Sequence, residues 1–106
     1  MAKYLFHGSY TQNGVKGLLK EGGSSRKAHV EKLVASMGGK LEALYYAFGD
    51  TDVYVIVDVP DEATAAAVSL TVSAAGGVTL QTTALIEPET IDDASKMTIA
   101  YRPPGS

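Results

Sequence analysis

The sequence contains no cysteine, which removes disulfides, thiolate zinc sites, iron–sulfur ligation and cysteine nucleophiles together. Long apolar runs are missing too. Runs such as Val53 to Val57 have the length of a strand and fall far short of a membrane span. After Met1 the chain reads Ala2-Lys3-Tyr4-Leu5-Phe6-His7-Gly8, without an apolar stretch of signal-peptide length. These absences predict a cytoplasmic protein with no membrane partner. Positive charge is scarce and scattered: 9 Lys and Arg against 12 Asp and Glu leave a formal charge of −3. Phosphate contacts supply most of a nucleic-acid binder's affinity, so nucleic acid is not an expected partner. The glycines form neither GxGxxG nor a P-loop, and no serine sits in a nucleophile elbow. Two histidines without paired spacing give no metal expectation, and no cofactor is expected.

What remains is an ordinary globular composition, 45% hydrophobic and 20% charged over 106 residues. That length accommodates one core. Residues 1–97 are expected to form a single domain, with 98–106 as a C-terminal tail.

Lys3 to Tyr10 reads as a strand closing at Thr11-Gln12-Asn13-Gly14. Val15, Leu18 and Leu19 follow helical spacing, and Gly22-Gly23-Ser24-Ser25 interrupts it, with Ser24 or Ser25 placed to cap a second helix. In that helix Val30, Leu33, Val34 and Met37 form one apolar stripe. Lys40 to Phe48 and Asp52 to Val59 read as strands around a turn at Gly49-Asp50-Thr51. Asp61 is the expected cap of a third helix, whose Ala63, Ala66, Ala67, Leu70 and Ala74 make a narrow face suited to close packing on a sheet. Val78 to Glu87 is the fourth strand.

The halves echo each other: Val34 to Leu41 aligns with Val72 to Thr79, and in both a helix ends on a glycine pair before a strand begins. Two strand–helix–strand halves predict an α+β, ferredoxin-like βαββαβ fold. Its four-stranded antiparallel sheet has order 4-1-3-2 with helices on one face.

A monomer of that architecture should carry a polar open face. Instead Val53, Val55, Val57 and Val59 alternate with Tyr54 and Ile56. Leu41, Ala43, Tyr45 and Ala47 alternate with Leu44, Tyr46 and Phe48, and Leu5 and His7 with Tyr4 and Phe6. Large apolar groups on both faces predict a homo-oligomer with sheets packed face to face, the dimeric α/β-barrel type. The alternative is that Glu87 to Tyr101 folds back over the open face.

Several segments together resemble the GYD domain family of small bacterial proteins. They are Tyr10-Thr11, Gly14-Val15, Leu18-Leu19, Val34 to Glu42, Ala47 to Val53, Ile56, Pro60-Asp61, Ala65 to Ala74 and Thr82 to Leu85. The resemblance covers nearly the whole chain and implies a ferredoxin-like fold and oligomerisation; it implies no activity. The element that names the family reads Gly49-Asp50-Thr51-Asp52 here, with threonine in place of the tyrosine, so no role of that tyrosine carries over.

Candidate ligand-binding residues are His7, Tyr10, Asn13, Tyr46 and Tyr54. His7 is the one candidate general base, against the ordinary role of an interface or core histidine. His29, among Arg26, Lys27 and Glu31, reads as solvated. Tyrosines suit a pocket wall as well as an interface, and Asn13 suits either a helix cap or a pocket mouth. Asp50, Asp52 and Asp58 offer carboxylates for a hard cation or acid–base work, though a turn recruits aspartate for its own backbone. The expected function is a small-molecule-binding or regulatory, assembling homo-oligomer. The alternative is a cofactor-independent enzyme, monooxygenase- or isomerase-like, on fold analogy.

Overall fold

The protein is described by a computed structural model over residues 2–106. Its elements run β1 (Ala2–Tyr10), α1 (Gln12–Glu21), α2 (Gly23–Ser36), β2 (Lys40–Tyr46), β3 (Val53–Val59), α3 (Glu62–Ala75), β4 (Val78–Leu85) and α4 (Pro88–Ser95). The four strands form one antiparallel sheet in the order β2-β3-β1-β4, which is the expected order read from the other edge.

The glycine pairs do the same work in both halves. Gly38 and Gly76 adopt φ of 77° and 78°, left-handed conformations that end α2 and α3 without a Cβ penalty. At α3 the Asp61 carboxylate accepts from the Thr64 N–H at 2.8 Å, the expected cap. The start of α2 differs from expectation. Gly22 occupies the cap position and no side chain caps the helix, so Ser24 and Ser25 already lie inside it. At α1 the cap is Thr11 and not Asn13, which is exposed. The Thr11 hydroxyl accepts from Gly14 N–H at 3.2 Å and donates to the Gly76 carbonyl at 2.8 Å, tying the first half to the second.

The core lies between the sheet and α2 and α3. Tyr4, Phe6, Val34, Val57, Val59, Ala65 and Val68 are buried together, with Leu41, Val55, Val72 and Leu80 packed against them. The face α3 turns inward is Ala65, Val68 and Val72, and the predicted alanine face with Leu70 points to solvent. A helix apolar all round carries no phase in its composition, so the β-branched valines, which fill more space over the sheet, decide it.

Strand β2 corrects a second expectation. A bulge between Leu41 and Ala43 inserts one residue, and a one-residue step moves every later side chain to the other face. Leu41 therefore shares the covered face with Leu44 and Tyr46, while Ala43 and Tyr45 stand on the open face opposite Ile56 and Tyr54. The strand also ends at Tyr46, leaving Phe48 fully exposed in the turn.

The C-terminal segment does not cover the open face. Every residue from Ile86 to Ser106 is exposed, α4 included. The radius of gyration is 17.0 Å, against about 13 Å for a compact domain of this length. The added helix has a readable start in Pro88 at its first turn followed by Glu89.

Candidate functional site

The sheet's two faces divide the residues predicted to share a site. On β1, Tyr4, Phe6, Gly8 and Tyr10 face the helices, while Lys3, Leu5, His7 and Ser9 face away. His7 and Tyr54, paired across β1 and β3, lie together on the open face with ring centroids 6.0 Å apart and planes at 10°. Thr83 Oγ1, from β4, is 3.5 Å from His7 Nε2. Tyr45 extends this aromatic row to the sheet edge, and Leu5, Ile56 and Ala43 form the row beside it. No carboxylate is bonded to the His7 ring among the described residues, so nothing orients it as a triad base would be oriented.

At one end of the open face Lys3 pairs with Glu42 and lies 3.8 Å from Asp58 and 3.9 Å from Glu87. The bond to Glu42 raises the Lys3 pKa above its ordinary value. Asp58 is thus at the far end of β3 from Asp52, and the aspartates do not assemble into a pair. Among the described residues no group of three or more His, Asp or Glu is placed to hold a metal ion.

The family element at the β2–β3 turn has a structural part. Asp52 Oδ2 accepts from the Tyr10 N–H at 2.9 Å, and the Asp52 N–H donates to the Gly8 carbonyl at 2.8 Å. The Asp50 carbonyl accepts from the Ser9 hydroxyl. The turn therefore locks onto the end of β1, and Asp52 acts through backbone hydrogen bonding, as turn aspartates do. Thr51 is half-buried beside it.

Tyr10 and Tyr46 belong to the other face. The Tyr46 hydroxyl donates to the Gly23 carbonyl at 3.0 Å, and the Tyr10 phenol is its neighbour. Burial, then the neighbouring Tyr46, pushes the Tyr10 phenol up to about 12. Burial likewise raises Tyr46. Of the two, Tyr10 borders a cavity of about 90 Å³, which it lines with Arg26, Val30, Leu33, Val55 and Val72. A second hollow of about 310 Å³ between α1 and α3 shares Tyr10, Arg26, Val72 and Val78 with it and adds Glu21. His29 is not simply solvated: its Nδ1 lies 2.5 Å from Glu21 Oε1, joining α1 to α2.

Arg26 was the residue missed by pattern. It precedes Val30 by four positions, which places a cation on the line of the α2 apolar stripe, a readable signal.

These features define a small α+β protein with a split strand–helix–strand repeat, one helix-covered sheet face and one bare one. The sequence pattern of the GYD domain family matches residues 4–95, and the chain belongs to that family. No curated protein and no solved structure matches it. No helix is long and apolar enough to cross a membrane among the described residues.

Proposed function

We propose that this GYD-family protein is a homo-oligomeric small-molecule-binding module whose subunits meet through their open sheet faces, in the manner of a dimeric α/β barrel. The observation that carries the assembly is the unspent surface. The chain exposes 7416 Å², whereas a compact monomer of 11.1 kDa exposes about 5,700 Å². The excess, about 1,700 Å² for one chain, is more than the roughly 800 Å² per partner of a standard interface and falls in the range of extensive homodimer interfaces, about 1,000–2,500 Å² per partner. Tyr45 and Tyr54 on the open face, and Ile91, Met97, Ile99 and Tyr101 on the projecting arm, are large apolar side chains left in water. A second copy supplies both the sheet to cover the first group and a surface for the arm to reach.

Native mass spectrometry tests this directly. A dimer or higher oligomer is the expected result, and a monomer at tens of micromolar concentration contradicts the assembly. Added mass lost on denaturation identifies a carried ligand.

One observation favours a second reading, a cofactor-independent enzyme. The His7–Tyr54 stack lies on the face that pairing would enclose, and an imidazole is the side chain most often used as a general acid or base. Loss of turnover in His7→Ala with assembly intact supports catalysis; unchanged turnover removes its one named base.

A further inference from the structure

The helix side of the sheet holds a feature that assembly leaves unused. Helices α2 and α3 stand apart over the sheet, and the space between them is apolar: Val30, Leu33 and Val34 from one helix, Val68 and Val72 from the other, with Val55 and Val57 as the floor. This slot, about 90 Å³, is smaller than the cavity of about 150 Å³ that admits benzene, so it takes only part of an apolar ligand. Tyr10, Arg26, Val72 and Val78 also line the hollow of about 310 Å³ beneath α1, near the lower end for small-molecule sites, so a chain long enough to reach both fits better than a compact ring.

The charge at that junction is unbalanced in a particular way. Arg26 is half-buried and has no ion pair or side-chain hydrogen bond among the described residues. The one carboxylate at the same mouth, Glu21, is engaged by His29 at 2.5 Å. A half-buried guanidinium presents donors in a planar fork that matches a carboxylate.

We propose that this slot binds an unbranched aliphatic monocarboxylate, its chain lying between α2 and α3 and its carboxylate paired with Arg26 beside the Tyr10 hydroxyl. The inference rests on the small-molecule half of the reading above and is independent of how the subunits assemble. The ligand class follows from three features: a small apolar slot, Arg26 as the one cation lining it, and an adjoining hollow with room for the rest of the molecule.

The test uses octanoate as probe and 1-octanol as its uncharged control, titrated into the full-length protein with methyl resonances observed by NMR. Octanoate is expected to shift the methyls of Val30, Leu33 and Val72 and to bind more tightly than octanol. Arg26→Gln should weaken octanoate about 10- to 100-fold and leave octanol unchanged. Glu21→Gln, which removes a like charge from the mouth, should tighten octanoate, and weakened binding in that variant would count against the carboxylate assignment. Equal affinity for the two probes, or octanoate binding unaffected by Arg26→Gln, overturns the carboxylate assignment. Shifts confined to Leu5, Ile56 and the His7 ring place the ligand on the open face. They overturn the slot while leaving small-molecule binding standing. Absence of any shift up to millimolar octanoate overturns the slot as a site for this class. A co-purifying ligand of another class, found by native mass spectrometry, would then keep the broader reading alive.

Discussion

The two faces of the sheet are built from the same strands and have opposite characters. On the covered face, Phe6, Val57 and Val59 are 4%, 1% and 0% exposed, and the helices supply everything that hides them. On the open face, Leu5, His7 and Ile56 are half-buried by neighbours within the sheet alone, and Tyr45 remains 72% exposed. Strand alternation makes the two apolar sets look alike in the primary structure. The difference lies in what is available to cover each: α2 and α3 on one side, and on the other nothing among the described residues. An apolar residue in a strand thus reports a demand for burial and does not say which molecule meets it.

The sharpest way to break this comparison is to truncate one aromatic on each face. Phe6→Ala should lower the unfolding free energy by about 3–5 kcal/mol, the range for a large buried ring, as measured by urea denaturation. Tyr54→Ala should change the stability of the dissociated chain by no more than about 0.5 kcal/mol while shifting the concentration at which subunits associate. If the two variants lose comparable stability at high dilution, the open face is covered within the chain and the comparison fails.

A smaller effect sharpens the covered side. A Cβ on Gly14 would lie 1.8 Å from the Gly77 carbonyl oxygen, a backbone atom that cannot turn away. Gly14→Ala should therefore push α1 off the end of α3 and cost about 1–3 kcal/mol, as overpacking does. Thermal melts of Gly14→Ala and Gly17→Ala make the contrast, because a Cβ at Gly17 meets nothing within 4 Å. Below that comes the cap that joins the halves. Thr11→Ala removes one acceptor for the Gly14 N–H and one donor to the Gly76 carbonyl, and should cost about 1 kcal/mol. An unchanged denaturation midpoint would mean that water replaces both bonds.

The repeat made the topology legible. Glycine pairs, a capping Asp61 and valine alternation were enough to order four strands, because each is a local rule with a geometric consequence. Three features stayed hidden for physical reasons. The extra residue near Glu42 has no composition signature, yet it puts Leu41 and Ala43, expected on one face, on opposite faces of the sheet. Helix α3 is apolar on all sides, so only packing against the sheet selects Ala65, Val68 and Val72 as its inner face. The site candidates were separated by the sheet itself: His7 and Tyr54 lie on one side, Tyr10 and Tyr46 on the other, and Asn13 with neither. Strand parity already places position 7 opposite position 10, so that separation was available before the structure. The conjunction of Tyr10 with Arg26 was not, since it depends on how α2 enters the layer.

The mildest test addresses the mouth of the slot. The Tyr10 phenol is raised from 10.0 to about 12, first by burial and then by Tyr46. The neutral phenol is the form the fold favours, so this contribution to stability is complete below about pH 10. Between pH 10 and pH 12 the unfolded chain gives up a proton that the folded chain retains, and stability falls as pH rises. Half-exposure limits the loss to under about 1 kcal/mol, because solvent screens the charge. Tyr10→Phe cannot ionise and should flatten that part of the alkaline denaturation profile, leaving the smaller decline due to Tyr46. A profile identical to the unaltered protein would mean that water reaches Tyr10 freely. The apolar slot would then be open at its Arg26 end before any ligand arrives.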